Sequence, residues 1–200
     1  MNLIFLRRII AICVFLPFLA NAQSASSIVE EAVSILDTAL TERREELESS
    51  DAALYALVDE ILLPRFDRRY AAQLVLGKHW RSASPEQRDA FVDEFYISLL
   101  KRYADGLLKF DQRNIKMLPY RGDDTKKHTK VKTVVTLGDG TKVPVDYALV
   151  NRETGWLIID VIIEGISYLQ TTKKELSSEI RTSSLDAVID RLNRENSGVI

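Results

Sequence analysis

The chain is short of the residues that carry most enzymatic and metal chemistry. Cys13 is its one cysteine, and His79 and His128 are its two histidines. Cys13 lies in an N-terminal apolar run, and removal of that run leaves no thiol, which excludes disulfides, cysteine nucleophiles and cysteine metal sites. The histidines are far apart in sequence, and neither stands in a metal-ligand spacing such as HxxxH, so both read as ordinary structural or surface residues. A GxSxG nucleophile elbow is also lacking. So is any basic excess: 27 Lys and Arg stand against 29 Asp and Glu, which gives no electrostatic footprint for nucleic acid.

What is present begins at the N-terminus. Arg7 and Arg8 precede an uncharged apolar run from Ile9 to Ala20, closed by Ala20-Asn21-Ala22. This is the basic, apolar and small-x-small order of a secretory signal. At 12 residues the run falls short of the roughly 20 that a bilayer-spanning helix needs. Cleavage is expected after Ala22. Cys13 sits inside the run rather than just after the small residues, which argues against a lipoprotein. The expected mature chain, 23–200, is one domain of a size that buries a substantial core. Arg7 and Arg8 leave with the signal, so 25 of the 27 basic residues remain against 29 acidic ones, a net charge near −4.

Along the mature chain the period is helical first and alternating later, which predicts an α+β fold. Ile28, Val29, Ala32, Val33, Leu36, Ala39 and Leu40 recur at helical spacing, with the helix continuing into the charges of Thr41 to Glu48. Asp51 is expected to cap a second helix carrying Leu54, Leu57, Val58, Ile61 and Leu62, which Pro64 either stops or follows by opening the next helix. A third helix over 66–76 ends at Gly77. Ser84-Pro85-Glu86-Gln87 is the clearest helix start, with a capping hydroxyl, proline at the first helical position and Gln87 three residues after the cap. The helix it opens is expected to reach Phe110. Its stripe is Phe91, Val92, Phe95, Tyr96, Leu99, Leu100, Tyr103 and Leu107, and periodicity alone is satisfied if this stripe simply fills a core.

Four strands are predicted next, over 114–120, 128–137, 141–151 and 155–163. Gly138-Asp139-Gly140 and residues 151–155 are short enough for antiparallel hairpins, so the sheet should be a meander. Alternation places Val143, Val145, Tyr147 and Leu149 on one face of the third strand, and Leu157, Ile159, Val161 and Ile163 on one face of the fourth, both toward the helices. Amphipathic helices near 167–181 and 185–194 close the chain. Gly138-Asp139-Gly140 lies between two strands, so it reads as a turn and not as a phosphate cradle. Asp160 and Glu164 are four residues apart along a strand, roughly 13 Å, too far for a catalytic carboxylate pair. Structural or interface roles suit them better.

Two stretches carry a resemblance. The first runs Leu57-Val58-Asp59-Glu60-Ile61-Leu62-Leu63-Pro64-Arg65-Phe66, then Tyr70-Ala71-Ala72, Leu74-Val75-Leu76-Gly77-Lys78-His79-Trp80 and Ser84-Pro85-Glu86-Gln87-Arg88. The second is Gly155-Trp156-Leu157-Ile158-Ile159-Asp160-Val161-Ile162-Ile163-Glu164-Gly165-Ile166-Ser167. The first resembles the helical core of the MlaC, or toluene-tolerance, family, and the second its final strand and the turn into its C-terminal helix. The loop from Arg121 to Lys127 and the hairpin at Gly138 are short, so contacts made there by longer relatives do not carry over.

The resemblance implies a monomeric, non-enzymatic periplasmic phospholipid-binding protein with no cofactor, in the system that maintains outer-membrane lipid asymmetry. The implied partners are a phospholipid ligand, an inner-membrane MCE-domain protein with its ABC transporter, and an outer-membrane lipoprotein complex. The implied fold is a twisted antiparallel sheet of about four strands, with an N-terminal helical layer and C-terminal helices on one face enclosing an apolar pocket. Two acyl chains hold roughly 30 methylenes at about 0.8 kcal/mol each, so their exposure to water costs on the order of 20 kcal/mol, and a carrier must shelter them. The candidate lining is Leu74, Phe91, Phe95, Leu99 and Tyr103 from the helices, Val145, Tyr147, Ile159, Val161 and Ile163 from the strands, and Ile166 and Leu169 beyond them. Ile166 enters because it matches a pocket-lining position of the family. A hinge near 110–113 is expected to open the two layers. The competing readings are a periplasmic adaptor or chaperone with a filled core, and an enzyme on a cone-shaped α+β scaffold. The enzyme would need a buried acid, base or nucleophile that the sequence does not display.

Overall fold

The computed structural model describes residues 23–107 and 115–197. The expected signal peptide with Cys13, the expected continuation of the long helix over 108–110, and the expected hinge at 110–113 lie outside the described residues.

The helices begin where side chains can satisfy free backbone N–H groups. Ser24 Oγ accepts from Ser27 N at 3.2 Å and opens α1 (Ala25–Glu42). The expected run to Glu48 is broken at Arg43, whose φ of −121° and ψ of 21° are not helical, and α2 (Arg44–Ser49) follows with Leu47 completely buried. At α3 (Asp51–Leu62) the cap is Ser50, whose Oγ accepts from Ala53 N, and Asp51 is the first helical residue, where its charge favours the helix dipole. Pro64 sits in a single 3₁₀ turn, Leu63–Arg65. α4 (Arg68–Leu76) is capped by Asp67 and stops at Gly77, whose φ of 54° lies in the region that glycine tolerates best. A short α5 (Lys78–Ser82), not expected from the sequence, follows.

α6 (Pro85–Leu107) opens on a reciprocal capping box. Gln87 N donates to Ser84 Oγ at 3.2 Å, and Ser84 N donates to Gln87 Oε1 at 3.0 Å. After the sheet come α7 (Tyr168–Thr182) and α8 (Leu185–Asn196). α6 packs against α3, α4 and α8, while α1, α4 and α7 touch the sheet.

The sheet is an antiparallel meander in the order β1 (Ile115–Met117), β2 (His128–Thr136), β3 (Lys142–Arg152), β4 (Gly155–Ile163) and β5 (Ile166–Ser167). The fifth strand was not expected. It exists because Glu164 and Gly165 both take positive φ, 51° and 81°, the pattern of a two-residue hairpin turn that pairs Ile163 with Ile166.

Register corrects one expectation. Residues directly opposed across antiparallel strands share a face. Val145 opposes Ile163 and Tyr147 opposes Val161, but beyond an irregularity at Ala148/Leu149 the partner of Leu149 is Ile158 and that of Asn151 is Trp156. Ile159 is the extra residue of this bulge. The face predicted as Leu157, Ile159, Val161 and Ile163 is therefore Trp156, Ile158, Val161 and Ile163. On β2, Val131, Thr133 and Val135 are buried while Lys130 and Lys132 are exposed, so one face meets the helices and the other meets water.

The layers are fastened at Asp67. Its Oδ1 accepts from Tyr70 N at 3.0 Å, its Oδ2 takes Arg152 Nε at 2.8 Å and a second guanidinium nitrogen at 2.7 Å, and its own N–H donates to Ile158 O at 2.9 Å. Phe66 bridges Ile158 in parallel fashion, and the Arg152 guanidinium lies 4.5 Å from the Tyr70 ring centre. Asp67→Ala removes a helix cap, worth about 1 kcal/mol. It also removes hydrogen bonds to a charged partner, worth about 1.5–3 kcal/mol. Urea unfolding should show a loss of about 2–4 kcal/mol with an unchanged denaturant slope, and Asp67→Asn should fall between the two proteins.

Candidate functional site

Buried apolar side chains fall into two clusters. The main core gathers Phe91, Phe95 and Leu99 of α6 with Leu149, Trp156 and Ile158 of the sheet and with residues of α1, α3, α4, α7 and α8. The second consists of Val135, Val143, Val145 and Val161, with Ile115, Leu137 and Ile163 packed partly buried against it. Tyr103 and Tyr147 pack against both clusters. The second cluster is a valine face of the sheet. β-Branched residues suit such a pleated surface, and Thr133, fully buried in its midst, donates its hydroxyl to Val145 O at 2.8 Å.

Side chains four apart on α6 step along one face, which puts Phe91, Phe95, Leu99 and Tyr103 in a row. Phe91 and Phe95 stack with centroids 5.8 Å apart. Phe95 stacks on Tyr168 at 6.3 Å, and Tyr168 meets Tyr103 at 6.0 Å with the rings tilted by 54°. This aromatic row leads from the main core to the valine face.

The twelve sequence-predicted residues divide accordingly. Phe91, Phe95, Leu99 and Leu169 are buried in the main core, and Leu74 packs against it. Tyr103, Val145, Tyr147, Val161 and Ile163 come together at the valine face. Ile159, the bulge residue, is buried but joins neither cluster. Ile166 stands apart from both, at 67% exposure in the short β5. Sequence reasoning missed Val135, Ile115, Leu137 and Tyr168, and it read Val143 as facing the helices without counting it among the lining residues. Val135 and Val143 had a legible signal, since they alternate in phase with Val131 and Val145 on neighbouring strands.

Burial pushes the Tyr147 hydroxyl up to about 12. Burial also carries Tyr103 well above the ordinary phenol range, with the negative charge of Asp160 adding to the effect. Both stay neutral at physiological pH. The Asp160 carboxyl is itself raised by burial, yet it is fully engaged: Ser167 Oγ donates to it at 2.5 Å and Leu169 N at 3.1 Å. It pins the end of the sheet to the start of α7.

A separate surface cleft of about 410 Å³ lies between α4, α6 and Leu157. Its charges answer one another, Arg69 with Asp89 at 2.6 Å and Arg68 with Asp93 at 3.9 Å, and this leaves it a polar crease. Among the described residues no three His, Cys, Asp or Glu lie together as a metal site requires, and no helix is long and apolar enough to cross a membrane. His128 stacks on Tyr70 at 6.1 Å, whereas His79 Nε2 is buried without a partner among the described residues.

Residues 30–194 match the family model described as MlaC protein. The chain is 28% identical to a toluene tolerance protein, Ttg2D, of Pseudomonas putida over 84% of its own length and 80% of that protein's. It is 22% identical to the intermembrane phospholipid transport system binding protein MlaC of Haemophilus influenzae, over 98% of this chain and 97% of that one. A solved phospholipid-binding protein from Ralstonia solanacearum, in complex with a phospholipid, superposes with a TM-score of 0.78 at 24% identity, covering 88% of this chain and 98% of that chain. The likeness is one of fold.

The buried phenols give a pH signature. In the unfolded chain they titrate near the ordinary value of 10, and in the folded chain they hold their protons to higher pH. Folded protein then binds more protons than unfolded protein in that window, so stability is full below about pH 10 and falls as pH rises toward 12. A spectrophotometric tyrosinate titration should show two classes of tyrosine while the fold persists, the later class shrinking in Tyr147→Phe.

Proposed function

The chain belongs to the MlaC family, and from that premise we propose that it is a periplasmic phospholipid carrier whose ligand chains lie between α6 and the valine face of the sheet. The observation that carries this reading is the separation, among the described residues, of Val135, Val143, Val145 and Val161 from the main core, with Tyr103 and Tyr147 packing against both. A domain usually has one contiguous core with smaller satellite clusters, and here the satellite is a continuous apolar face across three adjacent strands, β2, β3 and β4. A face of branched aliphatics backed by a continuous hydrogen-bonded sheet suits disordered acyl chains, because it is apolar, rigid and without orphaned polar groups.

The domain begins at Gln23 after signal cleavage, and the carrier works in the periplasm between an outer-membrane lipoprotein complex and an inner-membrane MCE-domain protein with its ABC transporter. This exchange maintains outer-membrane lipid asymmetry. A net charge near −4 gives no pull toward anionic lipid surfaces, so a docked partner is needed to favour an open state. The names of the Pseudomonas and Haemophilus relatives and the lipid in the Ralstonia structure support the ligand class. No residue is assigned a catalytic role.

Mass spectrometry of periplasmic protein should find Gln23 as the first residue, and an intact Met1 in the membrane fraction would overturn the assignment of compartment. Val145→Phe separates a lipid chamber from a filled core. Overpacking a filled core costs about 1–3 kcal/mol. In a lipid chamber the substitution should leave the melting temperature of lipid-free protein near wild type and cut co-purifying phospholipid several-fold. Labelled phospholipid should pass faster to liposomes bearing the MCE-domain protein than to bare ones, and equal rates would rule out gating by that partner.

A further inference from the structure

A phospholipid has a polar end, and two consecutive residues near the end of α6 are arranged to meet it. Arg102 is exposed, and its guanidinium lies 4.7 Å from the centre of the Tyr168 ring. Tyr168 in turn meets Tyr103 at 6.0 Å, and Tyr103 packs on the valine face as well as on the main core. From solvent inward the order is thus cation, aromatic ring, phenol and branched aliphatics. That is the polarity gradient of a glycerophospholipid read from phosphate through ester to acyl chain.

Each group has donor capacity facing the right chemistry. A guanidinium presents a rigid fork of N–H donors that matches phosphate oxygens, and stacking on an aromatic ring fixes its plane. Burial keeps the Tyr103 hydroxyl neutral and therefore able to donate. An ester carbonyl arriving with the ligand would give it an acceptor away from bulk water, where a hydrogen bond counts for more.

Resting on the carrier reading, we propose that Arg102 and Tyr103 form the polar subsite of the ligand chamber, Arg102 binding the phosphodiester and Tyr103 donating to an acyl ester carbonyl. The subsite selects for a phosphate between head group and glycerol and is indifferent to what the head group carries beyond it. Neutral diacylglycerols therefore bind through Tyr103 and the valine face alone.

The test uses delipidated mature protein and three probes: short-chain phosphatidylglycerol, diacylglycerol of the same chain length, and glycerol 3-phosphate. Wild type should bind the phospholipid at least about ten-fold more tightly than the diacylglycerol, the scale of one charge-assisted hydrogen bond, and should bind glycerol phosphate negligibly. Arg102→Gln should lose about ten-fold for the phospholipid and nothing for the diacylglycerol, with Arg102→Lys intermediate. Tyr103→Phe should weaken both lipids by a similar few-fold factor. Retained diacylglycerol binding by Arg102→Gln serves as the control for folding. Equal losses for both lipids in Arg102→Gln, or no loss for either, would overturn the phosphate role. Unchanged binding in Tyr103→Phe would overturn the ester role. Glycerol phosphate binding as tightly as the phospholipid would make this a plain anion site and refute the proposal. If wild type bound neither lipid, the carrier reading itself would fail and the subsite with it.

Discussion

The join at Asp67 is the interaction on which the arrangement of layers depends. One carboxylate caps α4, holds Arg152 at the end of β3 and belongs to a residue whose own N–H continues the edge of β4 through Ile158. A helical layer fastened there is held close to the sheet at Trp156 and Ile158, where the main core is continuous. Toward the other end of β4 the connection changes character. Asp160 ties the sheet to the first turn of α7 through Ser167 and Leu169, and the face beside it carries the separate valine cluster. The molecule is fixed at one end of the sheet and bears its second apolar surface at the other.

On the proposed reading, that division gives the fold its functional logic. A carrier must hold chains whose exposure to water costs on the order of 20 kcal/mol and must still give them up to another apolar surface. A chamber wall made from a sheet meets both demands, because its backbone polar groups are satisfied by neighbouring strands whether or not a ligand is present. The bulge at Ile159 contributes by switching the phase of β4. It lets Trp156 and Ile158 serve the main core while Val161 and Ile163 serve the valine face, which a regular strand would accomplish only with different residues at 156–159.

Much of this was legible in the sequence. The box at Ser84 and Gln87, the stop at Gly77 and the alternation along β3 are local signals, and the structure uses them as read. The failures are equally physical. Ser50 and Asp51 are both good caps, and only backbone geometry chooses between them. The break at Arg43 answers to the burial of Leu47, a tertiary demand. A bulge leaves no mark in an apolar run such as Trp156 to Ile159, so period-two counting put Leu157 on the wrong face. β5 rests on positive φ at Glu164, which a glutamate does not advertise. Of the proposed lining residues, five gather at the valine face; Val135 was overlooked because the face of β2 was never paired with that of β3, and Val143, read on the inward face of β3, was left out of the lining. Ile166 came from family resemblance alone, and in the structure its side chain is exposed.

The central claim is that acyl chains occupy the space against the valine face. A crystal structure of the mature protein, purified from the periplasm without detergent, tests this most directly. The account predicts continuous density for lipid chains in contact with Val143, Val145 and Val161, with the glycerol end toward Tyr103. A protein free of lipid, in which side chains of the helical layer close over those valines and leave no room for a chain, would contradict it.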